Sequence, residues 1–96
     1  MRTRARTDAN HTDVVKALRA AGCLVQSLAS VGNGVFDLLV CCPLGYLYVL
    51  EVKSGKNDLT EDQVLWFSRW VRSPNVSVVR SPEQALAAVG MKVRNR

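Results

Sequence analysis

The stretch Val35–Lys53, VFDLLVCCPLGYLYVLEVK, sets three charged residues, Asp37, Glu51 and Lys53, into otherwise apolar runs of strand character. Burying charge in apolar surroundings is costly unless the charges are paired or face a metal. Pro43-Leu44-Gly45 supplies a short turn between the two runs. With Cys42 and Tyr46 flanking that turn, residues opposite one another have numbers summing to 88, which places Asp37 across from Glu51 on one face. Like charges directly opposite are destabilising in a sheet, so this register calls for a compensating cation, and a divalent metal is the natural candidate. Lys53 lies two residues beyond Glu51 and shares its face. A slip of one residue would send the two carboxylates to opposite faces.

The remaining punctuation builds a small α/β domain around this hairpin. A helix fits Asn10 to about Ala21, with Asn10 as N-cap, Val14, Val15, Leu18 and Ala21 as its apolar stripe, and Gly22 as its stop. Cys23–Leu28 reads as a first strand. Ser30–Gly34 reads as a turn of small residues that could serve as an ordinary connection or let a large substrate approach Asp37. Strands over Phe36–Cys41 and Tyr46–Lys53 follow. Both are apolar on two faces, the pattern of central strands covered on both sides. Thr60-Glu61-Asp62-Gln63 is a capping box that opens a helix running to about Arg72. Val76–Arg80 is a fourth strand, and Ser81-Pro82-Glu83-Gln84 opens a last helix that Gly90 stops. The order is α-β-β-β-α-β-α, with charge gathered at one rim of the sheet.

Composition narrows the class. Ninety-six residues make one domain, and an apolar content of 48% suffices for a packed core. No apolar run approaches the roughly 18 residues of a membrane span, and the basic N-terminus has no apolar segment after it, so neither a membrane protein nor a secretory signal is expected. Three cysteines without CxxC spacing suit reduced thiols in the cytoplasm rather than a zinc site. The net charge of +5 is carried by the ends. Residues 1–7 hold three arginines and residues 91–96 hold Lys92, Arg94 and Arg96. Residues 8–90 contain seven lysines and arginines against eight carboxylates, a balance of −1. The chain therefore divides into a basic arm (1–7), a folded body (8–90) and a basic tail (91–96). Such tails suit contact with nucleic-acid phosphates, or simply solubility.

Asp37 followed fourteen residues later by Glu51-Val52-Lys53 has the form D…ExK. Two carboxylates suit Mg²⁺ or Mn²⁺, which prefer oxygen ligands. A lysine beside them can orient or deprotonate water and offset phosphate charge, the parts needed to cleave a phosphodiester. The same residues also describe a plain buried salt bridge between Lys53 and one carboxylate. Asp13 has two readings, a first-turn carboxylate that complements the helix dipole or a further acidic ligand. Gln63 is explained by the capping box and could also face the site. Trp66 and Trp70 fit core or interface at helical spacing, or stacking on bases, and His11 in the first turn reads as a surface residue.

The α-β-β-β-α-β order with D…ExK resembles the PD-(D/E)xK superfamily, whose restriction-endonuclease-like core has a central mixed four-stranded sheet flanked by helices. More closely, DANHTDVVKALRAAG, SVGNGVFDLLV and LEVKSGKNDLTEDQVLWF resemble the small VRR-NUC (virus-type replication-repair nuclease) proteins of phages and their hosts, over roughly residues 8–90. The resemblance implies a Mg²⁺- or Mn²⁺-dependent DNA endonuclease acting on branched, Holliday-junction-like DNA as a homodimer in the bacterial or phage-infected cell. It implies Asp37 and Glu51 as metal ligands together with the carbonyl of Val52, Lys53 as the catalytic lysine, and Asp13 and Gln63 in the positions of the family's first-helix acidic residue and its glutamine. Phe36 replaces the proline that normally precedes the aspartate, a change of backbone stiffness rather than of chemistry. Asp13 is one methylene shorter than the usual glutamate and would reach a metal through water. A non-catalytic DNA-binding module on the same fold is the alternative, and an interaction protein with the tryptophans in an oligomer interface is a third reading.

Overall fold

The computed structural model describes residues 9–91. The basic arm, and the tail beyond Met91, lie outside the described residues. The elements are α1 (Ala9–Ala20), β1 (Leu24–Ser27), β2 (Leu38–Cys41), β3 (Leu47–Val52), α2 (Glu61–Trp70), β4 (Val76–Val79) and α3 (Pro82–Ala88). The strands form one sheet in the order β1-β2-β3-β4. The β1–β2 and β2–β3 pairs are antiparallel and β3–β4 is parallel, so the sheet is mixed, with α2 in the crossover. No helix among the described residues is long and apolar enough to cross a membrane.

The central hairpin has the register the turn dictates. Leu38 pairs with Leu50 and Cys41 with Leu47, and the Cys42 amide donates to the Tyr46 carbonyl at 3.0 Å. Alternation then fixes the core. Leu38, Val40, Leu50, Val52 and Val79 point to one face, where Val14 and Leu18 of α1 and Ala85 and Val89 at α3 cover them. Met91, just past α3, packs against the same cluster. Gly22, at φ 93°, ends α1 with the paired bonds of a Schellman motif, Cys23 N–H to Leu18 O and Gly22 N–H to Arg19 O.

Three expectations change. Helix α1 starts at Ala9, so Asn10 is not its cap. The Asn10 amide instead donates to the carbonyls of Lys53 (2.9 Å) and Arg80 (3.1 Å), tying the helix to the ends of β3 and β4. With that shift Asp13 leaves the first turn, which holds no acidic residue. The hairpin is central, but its second face is covered only near the charged rim. Glu51 stands on the face opposite Leu50 and Val52, and Gln63 of α2 reaches it, so α2 lies there. Ten residues of helix are too short to cover the rest, and Leu24 and Leu47 on that face are exposed.

Few contacts hold α2 in place. It contains no fully buried residue. Phe36, wholly buried, packs tilted against Trp66 (centroids 4.7 Å apart) and stacks on Phe67 (5.2 Å), and Trp66 carries the half-exposed Trp70. The Ser30–Gly34 turn is a fitted connection rather than an open approach. Gly34 has φ 81°, and a β-carbon there would overlap the Asp62 carbonyl in the first turn of α2. Gly34→Ala is expected to cost clearly more than Gly32→Ala, because a backbone overlap adds to the left-handed penalty. Gly32→Ala, at φ 75° with open space around it, should cost only the left-handed backbone penalty of about 1–2 kcal/mol. Urea denaturation of the pair checks this, and equal losses would show that Gly34 does not seat α2.

Candidate active site

The rim of the hairpin brings Asp37, Glu51, Lys53 and Gln63 together. Asp37 immediately precedes β2, and the hairpin register continues through it to face Glu51. The two carboxylates are interlocked through the backbone. Glu51 Oε1 accepts from the Asp37 amide at 3.2 Å, and Asp37 Oδ2 accepts from the Val52 amide at 3.2 Å. Glu51 Oε2 accepts from Gln63 Nε2 at 3.0 Å and lies 3.7 Å from Lys53 Nζ. Glu51 is 3% exposed, the one buried charged residue among those described.

The capping box and the site turn out to be one device. Gln63 Oε1 accepts from the Thr60 amide at 2.9 Å, and the Gln63 amide donates to Thr60 Oγ1 at 3.2 Å. These bonds cap α2 and leave the Gln63 amino group free for Glu51, since a side-chain amide has separate donor and acceptor ends. Capping and a place in the site are compatible. Asp13 differs. It is exposed on α1, and among the described residues no three His, Cys, Asp or Glu side chains form a group that could hold a metal ion.

Burial pushes the Glu51 carboxyl up to about 7, and the neighbouring Asp37 charge adds to the rise. Lys53, the Asp37 amide and Gln63 oppose it without cancelling it. The pair is therefore short of positive charge. An oxygen-lined, electron-rich corner of this kind fits a hard divalent cation, which takes one or two protein carboxylates and keeps other positions for water and phosphate oxygens.

Sequence reasoning did not find Asn10, Gly34 and Phe36 as supports of the site. Asn10 looked like a cap, the Ser30–Gly34 turn like an ordinary connection or an approach for substrate, and Phe36 like a change of backbone stiffness before the aspartate. The Gly-Asn-Gly run was the available signal, since glycine is favoured where another backbone comes close.

No family model matches the chain, and no curated protein does. A solved structure described as a VRR_NUC domain does match, at 31% identity and a TM-score of 0.66, over 81% of this chain and 87% of that one. The α/β architecture, with its mixed four-stranded sheet and α-β-β-β-α-β-α order, is that of a restriction-endonuclease-like fold.

Because folding raises the affinity of Glu51 for its proton, the metal-free protein should lose stability as pH rises. Below about 4.5 both states hold the proton; between there and about 7 only the folded state does. Denaturation in EDTA should show a loss on the order of 2–3 kcal/mol from pH 4.5 to 8, absent in Glu51→Ala. A flat profile in the wild type would contradict the burial argument.

Proposed function

The chain belongs to the VRR_NUC domain family, a nuclease-type fold, and we propose that it is a divalent-metal-dependent DNA endonuclease selective for branched DNA such as four-way junctions. The observation that carries the reading is the interlocked Asp37–Glu51 pair with Lys53 and Gln63 on one of its carboxylates. In this reading Asp37 and Glu51 hold Mg²⁺ or Mn²⁺. The carbonyl of Val52 assists, because its amide already points at Asp37 and a strand residue directs both backbone groups to the same side. Asp13 contributes through water. The bound ion makes water easier to deprotonate and offsets charge on the scissile phosphate.

The chain's own residues do the rest. The Lys53 ammonium, two residues from Glu51 on the same face, orients the attacking water and meets the developing phosphate charge. Gln63 fixes the rotamer of Glu51, and Asn10 holds the backbone of Lys53 from behind. Water attacks phosphorus in line and gives up a proton to solvent, and the P–O bond on the far side breaks with its electron pair leaving on oxygen, which takes up a proton from solvent. A non-catalytic DNA-binding module on the same fold draws support from one observation, that no third carboxylate joins Asp37 and Glu51 among the described residues.

Cleavage of duplex, single-stranded, flap and four-way-junction DNA decides between these. Mg²⁺- or Mn²⁺-dependent cutting, strongest on the junction, is expected. Lys53→Ala should lower the rate about 10²- to 10⁴-fold, and Asp37→Ala should abolish it. Cutting that persists in EDTA would overturn the metal reading, and DNA binding without cutting under any ion would favour the binding module.

A homodimer completes the proposal, because cutting both strands of a two-fold target needs two sites. Val64, Leu65, Trp70 and Val71 leave an apolar surface exposed on and just after α2. Of the two tryptophans, Trp70 is the one free to anchor an interface, since Trp66 is packed against Phe36. Light scattering should give twice the chain mass for the wild type and a single chain for Trp70→Glu. A monomeric wild type at micromolar concentration would refute the dimer.

A further inference from the structure

Beside the catalytic rim, α1 and the edge strand β1 enclose an open groove of about 400 Å³ that the proposed chemistry does not use. Thr12, Lys16 and Arg19 line it from the helix, at the i, i+4, i+7 spacing of a single stripe. His11 lies at the same end as Thr12, and Ser27 and Leu38 form part of the opposite wall. No carboxylate lines the groove; Asp13 is on the same helix but outside the lining. The groove thus sets two cations and two hydroxyls on walls that also include Val15, Val25 and Leu38, in a body whose net charge is slightly negative.

One end of the groove lies at the charged end of the sheet, on the face opposite Glu51. Leu38 directly follows Asp37, and the Leu28 amide, one residue past β1, donates to the Asp37 carbonyl. At the helix end, Asn10 adjoins His11 and holds the carbonyl of Lys53. From His11 to Arg19 the helix advances about 12 Å, the axial length of roughly three to four nucleotides of one strand. Arg19 is held in place, with one guanidinium nitrogen 3.2 Å from the Val25 carbonyl and its other N–H groups left for a further acceptor.

We infer that the α1–β1 groove is a phosphate track that carries one DNA strand to or from the catalytic rim, with Lys16 and Arg19 as its main contacts. This rests on the nuclease reading for the identity of the strand. It adds a surface that supplies DNA affinity from the folded body rather than from the tails. The hydroxyls of Thr12 and Ser27 supply neutral donors to the same backbone. Contacts of this kind position the strand without reading its sequence.

The test measures binding of labelled duplex and four-way-junction DNA to the full chain in Ca²⁺ across a salt series. Lys16→Ala/Arg19→Ala should lower the slope of log affinity against log salt by about 1.8, from two lost phosphate contacts. Arg69→Ala/Arg72→Ala, the same loss of charge at the far end of α2, should change it by much less. Hydrolysis of bis(p-nitrophenyl) phosphate with Mn²⁺, a substrate too small to occupy the groove, should be unchanged in the Lys16/Arg19 variant. An unchanged slope, equal effects of both double variants, or no DNA binding by the wild type would each overturn the track. Cleavage by the wild type tests the nuclease reading separately, so a failed track and a failed nuclease are told apart.

Discussion

The buried carboxylate of Glu51 is the constraint around which this fold is arranged. It sits 3% exposed opposite Asp37, where a second negative charge should be least welcome. The structure tolerates it by aiming every nearby donor at the pair: the amides of Asp37 and Val52, the amino group of Gln63 and the ammonium of Lys53. These donors come from β3, from the residue before β2 and from α2. The compensation is incomplete, since the carboxyl still stands at about 7. A site that remains short of positive charge after its own residues are arranged favours the neutral form of Glu51, and it is this shortfall that a cation would meet in the proposed function. Stability is given up at this point of the sheet whenever Glu51 is charged, and protonation relieves it.

That arrangement depends on a helix with little hold of its own. Helix α2 buries no residue fully, yet it delivers Gln63 to Glu51. Its position is set by three local fits: the Phe36 ring against Trp66 and Phe67, the absence of a side chain at Gly34, and the capping box that fixes the Gln63 amide. Two of these belong to the segment that leads directly into Asp37. The residues just before the aspartate therefore seat the helix whose glutamine steadies the glutamate. The aromatic at position 36 acts through packing, where a stiff residue would act through the backbone, and both routes fix the approach to Asp37.

Much of this was legible in the sequence because it rests on local rules. A hairpin register follows from a tight turn and from alternation, so the opposition of Asp37 and Glu51 could be read from the Pro43–Gly45 turn alone. The capping box at Thr60–Gln63 and the glycine stop of α1 are likewise local. What sequence could not give were contacts between residues distant in the chain. Asn10 looks like a cap because asparagine is a good one, but its amide found two carbonyls 43 and 70 residues away. Gly34 looks like a loop residue until the helix packed on it is known. The coverage of the second sheet face depended on how far a ten-residue helix extends, which strand hydropathy does not encode.

The distribution of charge then takes on a different meaning. Counted by sequence, the body is slightly negative, and the positive charge lies in the two ends. Counted by place, Glu51 is buried against Asp37 on the α2 face, whereas Lys16 and Arg19 line an open groove on the α1 face that ends at the same end of the sheet. A polyanion lying in the groove would meet those cations while the negative pair stays on the other face. Overall neutrality is thus compatible with a directed field, because attraction to phosphate depends on where charge faces solvent and not on the sum. Lys53 sits where the two regions meet, paired to Glu51 on one side and held through its carbonyl by the helix that lines the groove on the other. Binding surface and reactive corner are thereby joined through one backbone position.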